Sequence, residues 1–123
     1  MKVEDVRSIL EQIEKLSRIA EDIERTVITG SNVSVTHEIT GFQKSAYDKI
    51  KMAIGELTRA VHRIARDGSE YGDSTNGLGE KVMEITPIAG DYQKITLYEK
   101  GIIFDEAFTK SKTIIVFGGG DDE

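Results

Sequence analysis

Histidine is the side chain best suited to acid, base or metal chemistry near neutral pH, and the chain has two, His37 and His62. A zinc-binding helix would place two histidines four residues apart, and these two are much farther apart in sequence. Asp67 follows His62 by five residues, a spacing that does not bring both side chains to one helix face. We therefore expect both histidines to be surface or half-buried residues without a catalytic role.

No other pattern in the chain predicts a reaction centre. Cysteine is absent, so thiol nucleophiles, disulfides and thiolate metal sites are excluded. The segment Gly68-Ser69-Glu70-Tyr71-Gly72 approaches the Gly-x-Ser-x-Gly turn of serine hydrolases, but its serine stands one position too early. The adjacent carboxylates Asp105 and Glu106 supply too few oxygens for a calcium cage. The sequence predicts a protein that is not an enzyme and that uses no cofactor or metal.

A row of arginines is the clearest candidate for binding chemistry. Arg59, Arg63 and Arg66 recur at spacings of three and four residues, which place them on one face of a helix. Guanidinium groups bind carboxylates and phosphates through two parallel hydrogen bonds. The three arginines are therefore a candidate anion-binding site for a metabolite or nucleotide, with a tyrosine as an additional contact. A solvated helix face is the alternative interpretation.

A second candidate is the segment Thr113-Ile114-Ile115-Val116-Phe117, which is apolar on both faces. Three glycines and three acidic residues follow it. The pattern predicts either a central buried strand whose acidic end limits aggregation, or a strand that pairs with a partner chain by edge addition. For the second alternative, the candidate partner-binding residues are Ile114, Ile115, Val116 and Phe117.

The arginines lie in the second of two predicted helices. In the first, apolar residues recur every three or four positions over residues 3–27, and the pattern ends near Gly30. The second is predicted from about Gly41 to Asp67, because Thr40 and Gln43 have the spacing of a capping box. The two apolar stripes favour an antiparallel helix pair, and an intermolecular bundle is the alternative.

The remaining segments predict a connector, a linker and a small sheet. Val33-Ser34-Val35 in the connector is either a short extended edge or a segment packed on the helix ends. Strands are predicted at residues 81–88, 92–99, 101–104 and 112–117, with turns between them. The fold class is therefore α+β, with two long amphipathic helices followed by a C-terminal antiparallel meander of three to four strands. We expect a single domain over residues 1–123, with a helical part (1–69), a polar glycine-rich linker (70–80), a β part (81–117) and a flexible acidic tail (118–123).

Composition limits the classes of partner. The 123 residues carry a formal net charge of −6, which argues against generic binding to nucleic acid. The acidic N-terminus is unlike a signal peptide, and no apolar run is long enough to span a membrane. We expect a soluble, cytoplasmic protein, or one in the host cytoplasm or virion if it is viral. A chain of this size has limited core, so a homo-oligomer is the expected state.

These observations predict a non-enzymatic self-assembling or adaptor protein, such as a small viral or secretion-apparatus component. The alternative is a small-ligand-binding module that holds an anionic metabolite or nucleotide between a helix and the sheet or between subunits.

The predicted helix pair, with Thr40-Gly41-Phe42 at the start of its second helix, also resembles the small helical-hairpin proteins of type VII secretion. The resemblance covers roughly residues 3–70. It implies a helical hairpin that is a secretion substrate or partner protein. The chain has no tryptophan, so the Trp-x-Gly turn of that family is absent, and the resemblance does not imply the β part.

Overall fold

The chain folds into two helices followed by five strands. A computed structural model describes residues 2–29, 33–89 and 91–118, with side chains described outside residues 25–43. In chain order the elements are α1 (Lys2–Thr29), α2 (Val33–Arg66), β1 (Glu70–Gly72), β2 (Lys81–Ile85), β3 (Tyr92–Tyr98), β4 (Gly101–Glu106) and β5 (Lys112–Val116). The predicted α+β class, a helix pair followed by antiparallel strands, is confirmed. Neither helix, over its described residues, is apolar enough along a sufficient length to cross a membrane.

The two helices lie antiparallel to each other. Four apolar residues of α1 at helical spacing are fully buried, namely Val6, Leu10, Ile13 and Ala20. The Lys2 ammonium donates a hydrogen bond to the carbonyl oxygen of Asp67, so the start of α1 lies beside the end of α2. Farther along the pair, the Tyr47 hydroxyl donates a 2.8 Å hydrogen bond to Glu24. The intramolecular pair, rather than an intermolecular bundle, therefore accounts for the facing stripes.

The second helix begins earlier than the sequence predicts. It starts at Val33 rather than near Gly41, so the segment Val33-Ser34-Val35 is helical and not an extended edge. Thr40 and Gln43 lie inside the helix rather than at its start, and their side chains fall outside the described residues. The prediction of the start was wrong because β-branched residues lower helix propensity by only a few tenths of a kcal/mol, which neighbouring turns easily offset.

The five strands form one antiparallel sheet in the order β1-β5-β4-β3-β2. Strands β2 to β5 follow the predicted meander. The additional strand β1 lies at the start of residues 70–80, which the sequence predicts to be a linker. It pairs over three residues with β5, so that Tyr71 is opposite Ile115. This sheet lies outside what a type VII helical hairpin implies.

One hydrophobic core joins the helix pair to one side of the sheet. The sheet contributes Ile85, Ile95, Leu97, Ile102, Phe104 and Ile115 to it. Burial of each such side chain stabilises the fold by about 1.5–3 kcal/mol. Because side chains alternate along a strand, these residues define the helix-facing side of the sheet, and the residues between them define its outer face. Helix α1 packs over β2 and β3, and the Ser17 hydroxyl accepts a 3.3 Å hydrogen bond from the Ile88 amide.

A loop covers one end of the outer face. Leu78, in the loop between β1 and β2, is fully buried but does not belong to the core under the helices. It packs against Gly101, where an added Cβ would lie 2.5 Å from Leu78 Cδ2 and 2.6 Å from the Ile115 carbonyl oxygen. The loop is therefore held on the sheet, which is the reason that part of the predicted linker is ordered.

Candidate functional site

The arginine row predicted from the sequence lies on the exposed surface of α2. Arg59, Arg63 and Arg66 are all exposed. Arg59 Nη2 lies 2.7 Å from Glu56 Oε1, and this hydrogen bond lowers the pKa of the Glu56 carboxyl. Arg63 and Arg66 form no ion pair with any residue in the described part of the chain. Two guanidinium groups on one helix face are therefore accessible to an external anion.

His62 joins this helix surface to aromatic side chains of the sheet. Its ring centroid lies 5.1 Å from that of Phe104 and 6.3 Å from that of Tyr92. The His62 and Tyr92 ring planes are nearly parallel, with 18° between them, and the Tyr92 and Phe104 centroids are 4.8 Å apart. Phe104 is fully buried, whereas His62 and Tyr92 are half-buried. We call these three residues the aromatic cluster.

The surroundings of the cluster shift two pKa values in opposite directions. Burial lowers the pKa of His62, and the positive charge of Arg66 lowers it further, while Glu106 acts against both. The imidazole is therefore mainly neutral at pH 7, because its ordinary pKa is already about 6.5. Burial raises the pKa of Tyr92, with smaller contributions from Glu106 and Asp91. Both cluster groups are uncharged at neutral pH and can act as ring surfaces and hydrogen-bonding groups.

Three strands position the sheet side of the cluster. Phe104 pairs with Ile95 in the helix-facing layer, and Tyr92 pairs with Glu106 at the end of the ladder. Tyr71, opposite Ile115 on the same side of the sheet, is 62% exposed. Its hydroxyl is close enough to Tyr92 to contribute to the raised pKa of that residue. The border between α2 and the sheet is thus lined by rings from a helix and from strands far apart in sequence.

The turn between β4 and β5 presents the most exposed large apolar residue among the described side chains, Phe108, at 87%. Its backbone is fixed by hydrogen bonds. The Glu106 amide donates to the Ser111 carbonyl at 2.9 Å, and the Ala107 amide donates to the Asp91 carbonyl at 3.1 Å. The Thr109 hydroxyl donates to Glu106 Oε2 at 3.1 Å. The Phe108 ring is therefore exposed to solvent on an ordered turn.

The four residues predicted as partner-binding lie on two sides of the sheet. Ile115 is fully buried against the helices, whereas Ile114 and Val116 are half-buried on the outer face. Phe117 follows the strand and packs on the core, with its ring centroid 5.8 Å from Lys2 Nζ. Strand β5 pairs with β4 on one side and with β1 on the other. The backbone of residues 114–116 is therefore already paired on both sides within the chain.

Sequence reasoning placed the arginines on one helix face and expected a tyrosine beside them, but it did not predict the contact of His62 with Tyr92 and Phe104. The arginines share one helix, so their spacing was sufficient to place them together. Tyr92 and Phe104 are about 30 and 40 residues from His62 and meet it only through the sheet register. Phe108 lies in residues 105–111, which the sequence predicts to be a loop or one helical turn, and His37 lies outside the described side chains.

The geometry supports binding chemistry at two places, the α2 border and the Phe108 turn. Among the described residues, no group of three or more His, Asp or Glu side chains is placed to hold a metal ion.

Comparison with known proteins identified no matching family model, no similar curated protein and no similar solved structure.

Proposed function

We propose that this protein is a non-enzymatic self-assembling protein, in which copies of the chain bind each other through the Phe108 turn. The observation that carries the proposal is the 87% exposure of Phe108 on a turn whose backbone is fixed by hydrogen bonds. Exposure of a phenyl ring forgoes about 1.5–3 kcal/mol of burial energy, which a partner pocket would recover. Because the turn is ordered before binding, little conformational entropy is lost on association.

The surroundings of the ring fit an interface anchor. Aromatic residues, Phe among them, are enriched in protein interfaces, and a few residues buried in well-packed pockets carry most of the binding energy. Lys110 and Lys112 follow Phe108 in the chain, and both are exposed. Lys112 Nζ lies 3.7 Å from Asp105 Oδ1, so charged groups of both signs flank the turn.

The test is the self-association of the wild-type chain and of the Phe108→Ser variant, measured by sedimentation velocity from low micromolar to millimolar concentration. We expect a defined oligomer whose dissociation constant rises at least about tenfold in the variant, the loss typical of an interface anchor. Met52→Ser is the matched control. Met52 is likewise a large exposed apolar residue, at 70%, but it lies on α2 and not on the Phe108 turn. A wild-type monomer at every concentration, or equal weakening by both variants, would contradict the proposal.

A further inference from the structure

The border between α2 and the sheet combines two kinds of binding group that the Phe108 turn lacks. One is the exposed guanidinium pair of Arg63 and Arg66. The other is the half-buried ring surface of His62 and Tyr92. Tyr71, on the same side of the sheet, is 62% exposed.

The distance between the two groups suits a small molecule. His62 and Arg66 are four residues apart on one helix, a spacing that places their Cβ atoms about 5–6 Å apart. Arg66 is close enough to lower the pKa of His62, which agrees with that separation. A ring lying on the aromatic cluster would therefore have an anionic substituent within reach of Arg66, and of Arg63 one turn away.

A carboxylate adds a third requirement on the ligand. Glu106 pairs with Tyr92 in the ladder and acts electrostatically on both His62 and Tyr92. It accepts hydrogen bonds and repels a second anion, so it favours a ring that carries N–H donors. The anionic group is thereby directed towards the arginines and the ring towards the cluster.

We infer that this border binds a nucleotide-like ligand, in which a planar ring with N–H donors contacts Tyr92 and His62 and a phosphate or carboxylate binds Arg63 and Arg66. Guanidinium groups hold such anions through paired hydrogen bonds, and planar rings stack favourably on tyrosine. The inference is independent of the proposed function, because Phe108 takes no part in it.

The experiment uses adenosine monophosphate as the probe, with adenosine and inorganic phosphate as its two halves. Binding is measured by isothermal titration calorimetry and by the NMR signals of the His62 imidazole. We expect the nucleotide to bind more tightly than either half and to shift the His62 signals. Arg63→Ser/Arg66→Ser should weaken nucleotide binding at least about tenfold, since it removes both guanidinium groups that would hydrogen-bond the phosphate.

The matched control is Arg7→Ser/Arg18→Ser, which removes two exposed arginines of α1 and makes the same change in net charge. It should retain nucleotide binding. The inference is overturned if the nucleotide does not bind, if phosphate alone binds as tightly, or if the control loses as much affinity as the α2 variant. We expect Phe108→Ser to retain nucleotide binding. This result would show that nucleotide binding does not depend on self-association through the Phe108 turn.

Discussion

At the scale of single residues, two glycines have opposite surroundings. An added Cβ at Gly101 would lie 2.5 Å from Leu78 Cδ2 and 2.6 Å from the backbone oxygen of Ile115. At Gly55, inside α2, the nearest atom would be Arg59 Nη1 at 3.9 Å, an ordinary contact. Gly101 is thus required by the close approach of the loop that carries Leu78, whereas Gly55 only costs helix stability.

We therefore expect the two alanine substitutions to have opposite signs. Gly101→Ala should lower the free energy of unfolding by about 1–3 kcal/mol, because backbone and loop must move apart. Gly55→Ala should raise it by about 0.5–1 kcal/mol, since alanine is the better helix former. Urea denaturation followed by circular dichroism measures both. Equal effects of the two substitutions would show that Leu78 does not pack on Gly101 in solution.

At the scale of secondary-structure elements, strands β4 and β1 differ in how many hydrogen bonds and buried side chains hold them in the sheet. Strand β4 has six residues, hydrogen-bonded neighbours on both sides, and the fully buried Ile102 and Phe104. Strand β1 has three residues, is an edge strand, and carries the exposed Tyr71. Local opening requires less free energy where fewer apolar contacts and hydrogen bonds must break.

Native-state hydrogen exchange should therefore rank the strands. We expect the β4 amides to exchange at least about tenfold more slowly than the β1 amides that pair with β5, because β1 can open without disturbing the core. NMR exchange rates in deuterated buffer give the comparison within one sample. If β1 and β4 exchanged at the same rate, the edge strand would be part of the same cooperative unit as the core.

The elements also show how far the sequence determines this fold. Helix α1 follows from its helical periodicity, and strands β2 to β5 follow from runs of β-branched and apolar residues separated by turn residues. The early start of α2 at Val33 and the strand β1 did not follow. Strand β1 depends on a tertiary contact, the pairing of Gly72 with Ile114. The start of α2 was missed because β-branched residues lower helix propensity only slightly. The arginine row was predictable for the same reason as α1, whereas the aromatic cluster depends on strand register.

At the scale of the whole molecule, Lys2 connects three parts of the fold. Its ammonium donates hydrogen bonds to the Asp67 carbonyl and, at 3.1 Å, to the Ser69 hydroxyl. It also lies over the Phe117 ring at 5.8 Å from the centroid. The start of α1, the segment after α2 and the end of β5 are therefore joined by one side chain.

Replacing Lys2 by methionine keeps an apolar stem of similar length but removes the charge and its hydrogen bonds. We expect Lys2→Met to lower the free energy of unfolding by about 1 kcal/mol, the sum of modest terms for a hydrogen bond and a cation–π contact in a partly exposed position. Lys15→Met, at an exposed position of α1, makes the same charge change and should alter stability by less than about 0.5 kcal/mol. Chemical denaturation of the three proteins side by side measures the difference. Equal stability of the two variants would mean that core burial alone, without the Lys2 contacts, holds the helix pair on the end of the sheet.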